Sequence, residues 1–290
     1  MEADPFSPWF WKTYQKRFQT EKDELFLKPD FWDQMAEGYD DLEATPFYRG
    51  MMETVMAEME AGGALSPEIT LLDLCCGTGS YAVRFARRVK EVWAIDVSPE
   101  MLKVLEKKIK QQGLRNIKPI LADWRRYSPP RTFETVFVSM TPILNDLEEL
   151  DRILAVTERY LVLVQWAGVR ENELHREILE RFFDRAPRKR SPSAVVLFNY
   201  LFSLGYPAEV RFFSGIWERS RPVEKEFQRL LFKLQGEGLS VDSRKKEMIR
   251  TFLVKRAREG KILSRTRVRI ALILADLKKE ALLFSTSSIR

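Results

Sequence analysis

Between Leu71 and Phe85 the chain reads LLDLCCGTGSYAVRF: an apolar run, then two glycines one residue apart, then a helix-forming stretch. Glycine costs roughly 0.5–1 kcal/mol inside regular structure, so Gly77 and Gly79 are predicted at a turn where another side chain would obstruct something. A buried strand turning this tightly into a helix is the opening unit of a parallel sheet with crossover helices. The feature therefore restricts the chain to an α/β architecture and directs attention to the turn itself.

The alternation continues downstream. ITLLDLC, EVWAIDV, IKPILAD, ETVFVSM and LVLVQWA are predicted as strands, and RTRVRIALILADL as a last strand returning to the same sheet. Helices are predicted over Tyr81–Lys90, over Pro99–Gln112 with Ser98 as N-cap and Gly113 as stop, and over LEELDRILAVTERY. The expected fold is a doubly wound, mostly parallel seven-stranded sheet with helices on both faces. Residues 1–50 carry Trp9, Phe10, Trp11, Tyr14, Phe18, Phe31, Trp32, Tyr39, Phe47 and Tyr48 and are expected to form a helical cap. Residues 51–169 and 261–290 form the expected core. Residues 170–260, with helices in ENELHREILERFF, SAVVLFNYLFSLG, Pro222–Gln235 and Ser243–Arg258, form an α-helical insertion before the last strand. APRKRSPS reads as an exposed loop.

With 290 residues, 45% of them hydrophobic, the chain can bury a substantial core. Its apolar runs are too short and interrupted to cross a bilayer, and MEADPFSPW lacks the features of a signal peptide, so a cytoplasmic protein with no membrane partner is expected. Cys75 and Cys76 are the only cysteines and His175 the only histidine. Adjacent cysteines rarely meet disulfide geometry, and the three residues do not supply a zinc centre, so no metal is expected. The net charge of +6 is uneven: residues 170–290 hold 27 Lys and Arg against 15 Asp and Glu. Either an anionic partner or solvated helix faces produces such a bias.

In a doubly wound sheet a ligand sits beyond the carboxyl ends of the strands, at the first strand-to-helix turn, and GTGSYA lies there. Asp96 closes the second strand, where a carboxylate can accept from ribose hydroxyls. The combination implies an adenosine-containing cofactor without choosing among them.

Four segments then carry a resemblance to a known family. LLDLCCGTG, AIDVSPEML, LADWRR and TVFVSM, spread over about residues 70–170, make the chain similar to class I S-adenosylmethionine-dependent methyltransferases. The resemblance implies S-adenosyl-L-methionine as cofactor and S-adenosyl-L-homocysteine as product. It implies that Asp73, Gly77 and Gly79 shape the loop around the methionine moiety, with Asp73 helping to hold its ammonium. Asp96 would bind the ribose, Val97 and Met101 flank the adenine, Asp123 and Trp124 meet the adenine edge, and Ser139 and Met140 lie near the sulfonium. Cys75 departs from the family, in which many members have glycine at that position.

Each assignment has a plainer reading beside it. Asp73 can cap a turn, Asp96 can serve the following helix, Asp123 can cap a loop, and Trp124 and Met101 can be core residues. The cysteines read as small buried hydrophobes. No general base is evident: His175 lies on a helix, and a lone histidine is more often structural.

Methyl transfer from a sulfonium needs alignment and exclusion of water more than acid–base chemistry. The expected activity is transfer to a small-molecule acceptor in an apolar pocket closed by the cap and the insertion. Tyr39 is expected at the cofactor, Tyr48 and Trp217 at the acceptor. Two alternatives stand beside this reading. One is an RNA or protein methyltransferase that uses the basic C-terminal half, although SMTP replaces the N-proline-proline-aromatic tetrad of many amino-methylating relatives. The other is a non-catalytic cofactor-binding or scaffold protein.

Overall fold

The structure, a computed structural model, describes residues 4–17, 26–187 and 193–279. Phe18, most of the predicted APRKRSPS loop and residues 280–290 of the expected core lie outside the described residues.

Seven strands, β1 (Thr70–Leu74), β2 (Glu91–Asp96), β3 (Ile117–Leu121), β4 (Phe133–Ser139), β5 (Thr157–Asn172), β6 (Ala208–Pro222) and β7 (Lys261–Asp276), form one sheet in the order β3-β2-β1-β4-β5-β7-β6. β1 to β5 run parallel, and β7 is antiparallel to both of its neighbours. The sheet is therefore mixed, with one reversed strand next to the edge. Side chains alternate across it. Leu71 faces one core with Phe137, Val162 and Ile270, and Leu72 and Leu74 face the other with Val136, Leu161 and Ile273.

Ten helices flank the sheet among the described residues. α1 (Pro8–Lys16), α2 (Pro29–Ala36) and a 3-10 turn (Tyr39–Leu42) precede α3 (Pro46–Ala61), whose Met52, Val55 and Met59 bury against the first face. α4 (Ala82–Phe85) follows β1, α5 (Pro99–Gln112) follows β2, and α6 (Leu147–Ala155) precedes β5. α5 matches its predicted limits: Ser98 Oγ accepts from the Met101 N–H at 3.1 Å, Pro99 occupies the first turn, and Gly113 takes the left-handed conformation at φ +64°.

Three predicted elements are corrected. α4 has four residues instead of running to Lys90, because Lys90 must donate to the Ile69 carbonyl to start β2. α6 stops at Ala155: the Val156 carbonyl accepts from Phe133 N–H, and Thr157–Tyr160, predicted helical, opens β5 and buries Tyr160. The stretch 170–260 is not purely helical. It holds β6 besides α7 (Glu173–Phe183), α8 (Ser193–Ser203), α9 (Val223–Gly236) and α10 (Ser243–Arg256).

β5, β6 and β7 outrun the other strands, with 16, 15 and 16 residues. Around Gly168, at φ +84°, the pairing of β5 with β7 slips, and beyond it the strands carry a third, smaller core. There Leu174 and Ile178 of α7, Phe227 and Leu230 of α9, Leu253 of α10 and Ile262 of β7 pack together. Gly215 in β6 lets the start of α3 dock, since a Cβ there would stand 2.1 Å from the Phe47 ring.

Candidate active site

A cleft opens at the carboxyl ends of β1, β2 and β4. Two of the four left-handed non-glycine residues among the described residues lie there. Cys75 follows β1 at φ +57° and Met140 follows β4 at φ +49°, both left-handed conformations that cost a side-chain-bearing residue of order 1 kcal/mol. The first value explains the family's glycine at the position of Cys75: the backbone requires positive φ, and this chain carries the strain.

The glycine loop is tied to β2. The Gly77 N–H donates to Asp96 Oδ2 at 2.8 Å, the Ser98 N–H to Asp96 Oδ1 at 2.9 Å, and the Cys76 N–H to the Ile95 carbonyl at 3.0 Å. The two glycines do different work. A Cβ on Gly77 would meet only a Tyr39 ring carbon at 3.7 Å, so this residue faces the cleft. A Cβ on Gly79 would stand 2.3 Å from Leu105 Cδ1, so Gly79 lets the loop pack on α5 and stands outside the cleft lining. With α4 only one turn long, the donors the loop offers are local N–H groups rather than a long helix dipole.

Of the remaining predicted cofactor residues, Tyr39, Cys75, Asp96, Val97, Met101, Asp123, Trp124, Ser139 and Met140 line the cleft. Asp73 lies buried beneath the loop, and its Oδ2 has no hydrogen-bond partner. Burial and the neighbouring Asp96 push the Asp73 carboxyl up to about 8. Burial also raises Asp96, against the pull of its backbone donors. Burial and then Asp96 raise the Tyr39 hydroxyl and the Cys75 thiol, each to about 12. Cys75 is thus a neutral thiol and no nucleophile.

The Asp123 carboxylate is not open in the same way. Arg125 grips it from its side chain at 3.1 and 2.8 Å and from its N–H at 3.1 Å. Burial opposes ionisation, but the Arg125 hydrogen bonds and charge outweigh it and lower the pKa. Sequence reasoning missed Arg125, although the D-x-R spacing of a turn was there to read.

Tyr48 and Trp217 do not line the cleft. Both are buried in the core under α3, with their rings 6.0 Å apart and Trp217 also 5.4 Å from Trp166. His175 lies on α7 in the outer core, its Nε2 3.2 Å from a Glu237 carboxylate oxygen and away from the cleft.

The cleft's outer wall comes from the N-terminal segment. Phe26, Leu27 and Trp32 face Thr141, Pro142 and Ile143 across it. The segment is bound by side-chain contacts that the sequence did not reveal. On α2, Asp33 Oδ1 accepts from Ser98 Oγ at 2.5 Å and from the Glu100 N–H at 3.2 Å. Asp40 accepts from Thr78 Oγ1 at 2.5 Å and pairs with Lys108 at 2.7 Å, and Glu43 holds Ser80 and Arg84. Phe31 stacks on Phe232 of α9 at 5.0 Å.

These residues fit a cationic adenosyl ligand. Two buried carboxylates, Asp73 and Asp96, stand together with no ion pair among the described residues, and Asp73 keeps an orphaned oxygen. The ammonium and sulfonium of S-adenosylmethionine would supply the positive charge that these carboxyls do not find among the described residues.

Residues 71–163 match the family model described as a methyltransferase domain. A demethylmenaquinone methyltransferase of Geobacillus kaustophilus is 48% identical over 52 residues, 17% of this chain and 22% of that protein. An uncharacterized RNA methyltransferase of Listeria monocytogenes is 31% identical over 101 residues, 33% of this chain and 22% of that protein. The chain spans about a fifth of the length of these curated relatives. Among solved structures, the N-methyltransferase NodS of Bradyrhizobium japonicum in complex with S-adenosyl-L-homocysteine superposes with a TM-score of 0.50 at 13% identity. That match covers 86% of this chain and 98% of the other, and the likeness is one of fold.

Residues 71–163, which carry the match to a methyltransferase domain, thus hold β1 to β4 and the glycine loop of a sheet with Rossmann-like strand order.

Proposed function

We propose that the protein is an S-adenosylmethionine-dependent methyltransferase that acts on a small molecule. The observation that carries this reading is the cleft at the ends of β1, β2 and β4, lined by Asp96, with Asp73 buried beneath the adjoining glycine loop and neither carboxyl ion-paired among the described residues. The cofactor supplies an activated methyl group on a good leaving group. Asp96, fixed by the Gly77 and Ser98 N–H groups, presents its remaining lone pairs to a ribose. Asp73 faces the loop that would hold the ammonium. Val97 and Met101 offer apolar contact to the base, and Arg125 takes a place beside Asp123 at its edge.

The walls decide the acceptor. Phe26, Leu27, Trp32 and Ile143 make an apolar, water-excluding surface of small-molecule scale, which suits in-line displacement governed by positioning. Among the titratable lining groups, Tyr39 and Cys75 hold their protons tightly, Asp96 is engaged by backbone donors and Asp123 by Arg125. None is poised as a base near neutral pH, which favours an acceptor whose nucleophile already has a free lone pair, such as an amine or a thiolate. The relative named for demethylmenaquinone supports a small-molecule substrate. The relatives named as RNA methyltransferases, with the basic C-terminal half, support RNA as a second reading.

Titration calorimetry with S-adenosylmethionine, S-adenosylhomocysteine and NAD tests the proposal. Micromolar-range binding of both adenosyl ligands, weakened at least tenfold by Asp96→Ala, is expected. Binding of NAD alone would refute it, and cofactor binding without turnover on any acceptor pool would favour a non-catalytic role.

A further inference from the structure

A second cavity lies on the other side of the 3-10 turn Tyr39–Leu42. The turn forms a thin partition: Tyr39 lines the cofactor cleft, while Asp41 lines the second cavity together with Thr45, Phe47, Arg219 and Arg221. Tyr39 feels the charge of Arg219 across this partition.

Arg219, on β6, is the unexplained residue. Its Nε is fully buried and has no hydrogen-bond partner, and its guanidinium makes no ion pair among the described residues. Its neighbours are already committed. Arg221 stands 3.7 Å from both Asp41 and Glu226, Arg229 bonds to Glu226 at 2.5 Å, and Glu218 pairs with Arg265 at 2.6 Å. Within the cluster of Arg219, Arg221, Arg229, Asp41 and Glu226, three cations face two carboxylates, and Arg219 is the one of the three with no ion pair among the described residues. Burial, then the charges of Arg221 and Arg229, pull the Arg219 guanidinium down to about 10. Arg219 is half-buried with its Nε wholly enclosed; leaving that donor unpaired costs free energy, and a planar fork of donors matches a carboxylate in both geometry and charge.

We propose that this second cavity anchors the methyl acceptor, with Arg219 holding a carboxylate of that molecule while its reacting end reaches past Tyr39 into the cofactor cleft. The inference rests on the methyltransferase reading above for the acceptor's fate, and on the cavity and the orphaned guanidinium for the anion. The single unmatched charge favours a monoanionic carboxylate over a dianionic phosphate.

The test compares wild type with Arg219→Met and Arg219→Gln, using benzoate, inorganic phosphate and benzylamine as probes and thermal unfolding as readout. Because a half-buried charge with an enclosed, unpartnered Nε is removed, both variants are expected to melt at or above the wild-type temperature without ligand. Saturating benzoate is expected to raise the wild-type Tm by about 2–4 °C and to leave both variants unmoved. In wild type, the Arg219 Nε–H resonance, identified by its loss in Arg219→Gln, should shift saturably with benzoate. Variants that melt lower and still respond to benzoate would overturn the inference, as would a phosphate response larger than benzoate's or an equal response to benzylamine. Calorimetry with S-adenosylhomocysteine on the same samples separates the two readings. Intact cofactor binding with no benzoate response sinks the anchor alone, whereas loss of cofactor binding in every protein sinks the methyltransferase reading.

Discussion

Asp73 turns one buried oxygen into a pH dependence. Its folded carboxyl titrates near 8, well above its ordinary value of 3.8, because burial and Asp96 oppose ionisation. The folded state therefore binds a proton that the unfolded chain releases. Its contribution is fully present below about pH 4 and is lost as pH rises through about 8. Asp73→Asn is accordingly expected to melt higher than wild type at pH 8.5 while binding S-adenosylmethionine more weakly. A cationic ligand favours the ionised carboxyl, so wild-type affinity should rise from pH 6 to pH 8 with release of up to one proton. Calorimetry at each pH in buffers of different ionisation enthalpy reads that proton directly, and a flat profile would remove Asp73 from cofactor binding. At this scale the sequence was informative about identity and less so about role. Gly77 and Gly79 are equivalent in the motif, yet one faces the cleft and the other yields to Leu105. Tyr48 and Trp217 looked like acceptor contacts, but both are taken up by the packing under α3, a choice that depends on which face each aromatic presents.

Among the elements, those with both a hydrophobic period and terminal signals were legible. α5 had Ser98, Pro99 and Gly113 to mark its ends, whereas α6 had no stop signal before the β-branched Val156 and Thr157 passed into β5. β6 escaped because it is a half-buried edge strand: Phe212 and Ile216 are exposed, charged residues interrupt the run, and Gly215 serves Phe47. The alternation of Val210, Phe212 and Ile216 was the available signal. The N-terminal elements gave only aromaticity, while their attachment depends on Asp33, Asp40 and Glu43, residues with no motif of their own. Asp33→Ala removes two hydrogen bonds between α2 and the start of α5. It is expected to weaken cofactor affinity by about tenfold, at roughly 1 kcal/mol per neutral or charge-assisted bond, with a Tm change of only a few degrees. Unchanged affinity would show that α2 does not help to form the cofactor cleft.

For the whole molecule, the doubly wound plan was readable because each β-to-α turn repeats one physical solution, and the excess of positive charge was readable by counting. What the count could not supply was pairing. Arg211, Arg250, Arg256, Arg265 and Arg267 each meet a glutamate within 2.8 Å, so much of the C-terminal charge is spent within the protein itself. Binding to a generic single-stranded RNA should therefore be weak and largely gone by about 150 mM salt. Retention of RNA at that salt in a filter assay would instead revive the macromolecular acceptor.

The unbroken ladder between β6 and β7, from Ala208 opposite Ala275 to Pro222 opposite Lys261, sets how the molecule can breathe. One end of that ribbon is welded into the main sheet and the other carries α9 and Arg219, so it moves as a stiff beam rather than a flap. The N-terminal segment, pinned over the cleft by individual side chains, is the softer wall. Traffic of cofactor in and product out is therefore expected to go by way of α2 and the 3-10 turn, while the beam keeps the acceptor's anchor at a constant height above the sheet.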